Sequence, residues 1–214
     1  MSTDTDKLIA QLTQDLKPVK PMAGAGTLAL ILSTLSLTAT FAAITIFTKG
    51  IRTDWQVMLG EHVCQTAGIS MAGFLAAYAA FKLSVPDTRI RTVERVILGL
   101  ASFIWVLLIA GQLGAEPPEA GYRNCLTDFS LLFIIPFAAG IYMASHAAPV
   151  WSGWAGYALA LAVGSFSALG MRFACPNEQP AHLLVWHYLP VLAFAVVGIG
   201  LGQILLKQKK SSRA

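Results

Sequence analysis

Long apolar runs alternate with short polar connections six times along the chain, over residues 27–47, 63–83, 96–113, 126–145, 153–173 and 183–206. A helix of about 20 residues crosses the ~30 Å hydrocarbon core of a bilayer, so each run is long enough to span it. None shows the period-two alternation of a barrel strand, and open sheet edges cannot face lipid, so the runs are predicted to be helices. Ahead of them Leu8, Ile9, Leu12 and Leu16 recur at i, i+1, i+4 and i+8 and share one helical face. Asp4 or Thr5 is placed to cap that helix, and Pro18 and Pro21 end it. The pattern predicts an all-α polytopic membrane protein, a bundle of six transmembrane helices preceded by a short amphipathic N-terminal helix. Its parts are an N-terminal segment (1–22), a six-helix membrane domain (23–206) and a basic tail (207–214).

Composition agrees with this reading. Of 214 residues 56% are hydrophobic and 12% charged, against about 25% charged in soluble domains. The first 22 residues are polar and the first apolar run is too long for a cleavable leader, so the spans themselves are expected to direct insertion. The net charge of +4 does not form a patch for nucleic acid, because the basic residues flank the spans. Lys7, Lys17, Lys20, Lys82, Arg89, Arg91, Arg95, Lys207, Lys209, Lys210 and Arg213 fall on one side, and only Lys49, Arg52, Arg123 and Arg172 on the other. The positive-inside rule then places both termini in the cytoplasm, and the localisation expected is a bacterial inner membrane. Short connections make successive helices antiparallel neighbours, and abundant Ala, Gly and Ser permit close packing. Pro136 and Pro190 are expected to bend the fourth and sixth spans.

Candidate chemistry gathers on the outer side. Cys64 opens the second span, Cys125 the fourth, and Cys175 follows the fifth. His62, His182 and His187 share that level. Three readings are open: buried thiols acting as small apolar residues, a redox-active pair, or a soft-metal site for copper, zinc or cadmium with Cys125, Cys175, His182 and His187 as candidate ligands. A Cys125–Cys175 bridge needs Cα atoms roughly 5.5 Å apart, and Cys64 is then left over. Asp128 stands one helical turn from Cys125, where it can tune the thiol or pair with Arg123 or Arg172. Trp151, Trp154, Trp186, Tyr122 and Tyr188 read as interfacial anchors. Gly164 and Ser165 with His187 lack the fuller motif of a serine nucleophile, and no catalytic residue is predicted. On the inner side, the stripe of Leu8, Ile9, Leu12 and Leu16 needs a cover. Asp4, Asp6 and Asp15 balance Lys7, Lys17 and Lys20, which favours a protein groove over a lipid surface.

The segments LIAQLTQDLKPVKP (8–21), RNCL (123–126) and CPNEQPAHLLVWH (175–187) resemble the negative regulator of sigma F (NrsF-like) family of six-helix bacterial inner-membrane anti-sigma factors. The resemblance covers essentially the whole chain. It implies a regulator that holds an extracytoplasmic-function sigma factor at the cytoplasmic face and releases it on an outer redox or metal stress. The family's two functional cysteines fall on Cys125 and Cys175, Cys64 has no counterpart, and Leu8, Ile9, Leu12 and Leu16 become the sigma-facing anchors. A small transporter or ion-handling protein with a metal-responsive outer site is the alternative.

Overall fold

The computed structural model describes residues 3–14, 23–47, 50–85, 92–114, 124–147 and 149–206. Among these every regular element is helical: α1 (Thr3–Gln14), α2 (Ala25–Phe47), α3 (Trp55–Glu61), α4 (Val63–Ser84), α5 (Thr92–Ala110), α6 (Asn124–Ser145), α7 (Ser152–Ala174), α8 (Pro180–His182), a π-helical turn (Leu183–Tyr188) and α9 (Leu189–Leu205). Six of these helical stretches, α2, α4, α5, α6, α7 and the continuous run from α8 to α9, are long and apolar enough to cross a membrane.

The helix α7 is the centre of the molecule. Of its most apolar window 89% is buried, against 17–39% for the other five. Its sequence explains this, because Gly156, Ala158, Ala160, Ala162, Gly164, Ser165, Ser167, Ala168 and Gly170 leave room for neighbours on every side. It packs most heavily on α9 and α4, then on α6 and α2. At Gly156 the approach of α9 is backbone against backbone: a Cβ there would lie 2.2 Å from the Gly198 carbonyl oxygen and 2.7 Å from the Gly202 Cα. The outer helices turn large aliphatic side chains away from the core, among them Ile135 at 69% and Ile204 at 74% exposure. Stacked Phe133 and Phe194 rings, 4.5 Å apart, join α6 to α9.

Several local expectations are corrected. The α1 helix already runs from Thr3, so Asp4 and Thr5 lie within it and do not cap it. Between the first two spans stands the short α3, whose Met58 is buried. Seven residues with no clear amphipathic period give too little signal to have announced it. The sixth span starts at Pro180, three residues before the apolar run, and contains the π-turn. Pro190 stands two residues past that turn, where a tight α-turn would press the proline ring on the Trp186 carbonyl; a widened turn relieves this. The α6 helix continues through Pro136, which is buried. Residues 15–22 and the tail 207–214 lie outside the described residues.

Candidate functional site

Cys125, Cys175, His182 and His187 converge at one end of the bundle. Cys125 sits in the first turn of α6, and Cys175 closes α7, its backbone N–H donating to the Met171 carbonyl at 2.8 Å. Antiparallel packing of these two helices sets both thiols at one level. The sulfurs are 3.8 Å apart, well beyond the about 2.05 Å of a disulfide, and both cysteines are free thiols. His182 Nε2 lies 3.6 Å from Cys125 Sγ and 3.4 Å from Cys175 Sγ. His187 joins from the π-turn, its ring centroid 5.1 Å from that of His182. In an α-helix residues five apart diverge by about 140° around the axis. The π-turn closes i to i+5, and so brings the two imidazoles together.

All four side chains are buried, the histidines completely. No atom meets good hydrogen-bond geometry at either ring nitrogen of His187, although the imidazole interacts with the Cys175 thiol, and a buried polar group held so is costly. One donor atom from each residue lies within 4.8 Å of the others, an arrangement able to hold a metal ion. The contact with Cys125, and behind it the His187 imidazole, draws the Cys175 thiol below its ordinary range against the opposing effect of burial.

Beside this cluster an ionic clamp holds the 175–179 connection. Glu178 accepts from Arg52 on one oxygen and from Arg172 on the other, the latter at 2.8 Å. Arg172, fully buried, also donates to Gln65 Oε1 at 2.9 Å and to the Tyr188 hydroxyl at 3.2 Å. Arg52 donates to the Cys175 carbonyl at 3.2 Å and grips Asp54 through two nitrogens, at 2.7 and 2.6 Å. The Arg52 guanidinium holds the exposed Asp54 carboxyl below its usual range. The backbone N–H of Arg52 donates to the Phe173 carbonyl at 2.9 Å, so the connection before α3 is stitched to the end of α7.

This clamp was missed in the sequence. Arg172 and Glu178 are six apart, and Arg52 more than a hundred residues away, so no local spacing marks them. It corrects two expectations. Arg172 gives its contacts to Glu178, Gln65 and Tyr188 rather than to Asp128, and Arg123 lies outside the described residues. Tyr188 is no interfacial anchor, being fully buried with its ring edge-on to Trp105 at 5.5 Å. Ser165, which the sequence did not favour as a nucleophile, accepts from Trp105 Nε1 at 2.9 Å and donates to the Leu161 carbonyl.

Of the other sequence candidates, Cys64 and the α1 residues stand apart. Cys64 is exposed and lines a shallow pocket of about 300 Å³ with Ile104, Leu107 and Gln112. Asp128 is half-buried on α6, near enough to Cys125 and Cys175 for its charge to act on both. On α1, Leu8 and Ile9 are 55% and 53% exposed; the side chain of Leu12 and the whole of Leu16 lie outside the described residues. At the end of the bundle remote from the cysteines, Leu83, Glu94, Arg95, Trp151, Trp154 and Tyr157 line a cavity of about 470 Å³.

A curated protein of Azospira oryzae, "Probable anti-sigma-F factor NrsF", is 26% identical over 159 residues, covering 71% of each chain. No solved structure matches. The family model described as "Negative regulator of sigma F" matches residues 12–207, nearly the full length. The chain belongs to the NrsF family of negative regulators of sigma F.

Proposed function

We propose that this chain is a membrane-embedded anti-sigma factor that retains an extracytoplasmic-function sigma factor at the cytoplasmic face and lets it go when thiols on the periplasmic side meet redox or metal stress. In this reading the end bearing Cys125 and Cys175 is periplasmic, as the distribution of basic residues favours, and Leu8, Ile9, Leu12 and Leu16 on α1 and beyond form the sigma-facing stripe. The observation that carries it is the half-exposed pair Leu8 and Ile9: in a chain of this family, an apolar face left uncovered on a polar segment calls for a protein partner. A route between the ends is at hand. The same helix, α7, ends at Cys175 and, near its other end, lines the remote cavity with Trp154 and Tyr157. A signal acts only through unequal affinity for two arrangements of that helix.

The test is co-purification from detergent-solubilised membranes, with mass spectrometry of what the chain retains. The wild-type chain should hold a sigma factor, and the double variant Leu8→Asp with Ile9→Asp should lose it while its bundle stays folded, because both side chains are already exposed. Equal retention by both would remove α1 as the contact. Absence of any sigma factor, together with solute uptake by the chain in liposomes, would favour a transporter instead.

A further inference from the structure

We infer that Cys125, Cys175, His182 and His187 form a closed four-ligand site for one resident zinc ion. The inference rests on geometry. Zinc bonds of about 2.3 Å to sulfur and about 2.05 Å to nitrogen put tetrahedral corners about 3.8 Å apart for two sulfurs and about 3.5 Å for sulfur and nitrogen. The corresponding separations here are 3.8 Å between the sulfurs and 3.6 and 3.4 Å from them to His182 Nε2. Three edges of the tetrahedron are thus in place.

His187 supplies the fourth corner. Its ring is wholly buried, neither nitrogen meets good hydrogen-bond geometry, and one falls within 4.8 Å of every other donor atom. A neutral imidazole held in this way is satisfied by a metal at one nitrogen. Two thiolates and two imidazoles in tetrahedral array suit zinc and disfavour magnesium, calcium or manganese, which take oxygen ligands in larger sets. Four protein ligands leave no open position, so the site would hold structure and carry no hydrolytic chemistry. The π-turn has a reason in this light, since it brings His182 and His187, five residues apart, to one ion. Zinc would tie α6, the end of α7 and the head of the sixth span at a single point, and under the proposed function its loss is the event that frees them.

The test uses the full-length chain purified in detergent without chelator, its metal content measured by mass spectrometry, and the same chain produced in cobalt-supplemented medium for absorption spectroscopy. About one zinc per chain is expected, with intense visible d–d bands and a thiolate-to-cobalt charge-transfer band in the cobalt form. His187→Ala and Cys125→Ser should each lower the zinc content at least about tenfold and abolish the tetrahedral bands, while Cys64→Ser leaves both unchanged. A wild-type chain that carries no zinc and takes up no tetrahedral cobalt overturns the inference, whatever the variants do. Full zinc in folded His187→Ala overturns the four-ligand set. Sigma-factor capture run on the same samples separates the two readings: capture by a zinc-free wild-type chain removes the zinc and leaves the anti-sigma role, and zinc without capture does the reverse.

Discussion

A carboxylate between two arginines is the residue whose removal should be felt most at the cysteine end. Arg172 is fully buried and Arg52 nearly so, and Glu178 meets both. Taking away the charge of one partner leaves a buried guanidinium short of its counter-ion, the costly way to break an ion pair. Glu178→Gln should therefore destabilise the bundle by about 2–4 kcal/mol, read as a shifted midpoint in detergent unfolding, and loosen the 175–179 connection that carries Cys175. Arg52 keeps Asp54 after that change, whereas Arg172 keeps only the neutral Gln65 and Tyr188. A midpoint unmoved by Glu178→Gln would mean that the clamp is ornamental.

Among elements the π-turn is the most distinctive. Its register, rather than its residue types, decides that His182 and His187 face one another. Pro190→Ala, which removes the clash that the wide turn relieves, should let it tighten to an α-helical register, rotate the two imidazoles apart by the about 140° of an ordinary i, i+5 pair, and abolish tetrahedral cobalt binding while circular dichroism still reports full helix content. Retained binding would show that the turn is incidental to the cluster. The six long apolar helices were legible in the sequence, because each needs only a long apolar run. The π-turn and α3 were not: a widened turn ahead of Pro190 leaves no mark on the hydrophobic pattern, and α3 is too short for its pattern to be seen.

The whole molecule depends on how closely helices approach α7. At Gly156 the neighbouring backbone leaves no space for a side chain, whereas a Cβ at Gly99 meets nothing within 4 Å. Gly156→Leu should force α9 away and cost about 4 kcal/mol or more, seen as aggregation or a large fall in unfolding midpoint; Gly99→Ala should be neutral or slightly stabilising through its helix propensity. Equal behaviour of the two variants would contradict the central place of α7. Any movement started at Cys175 must travel through this same tightly packed helix, and close packing favours discrete rearrangement over gradual bending.

The sequence alone determined the helical class, the six helices long and apolar enough to cross a membrane, and the family, since hydrophobic run length and residue type are local properties that the solvent reads directly. It also named Cys125, Cys175, His182 and His187 as candidate ligands by their common level along the spans. Only the tertiary structure decided that these four meet within 4.8 Å while Cys64 stays outside, and that Arg172 turns to Glu178 rather than Asp128. Level along a helix follows from counting residues, but which face a side chain presents depends on helix rotation and register, and those are set by contacts among residues far apart in the chain.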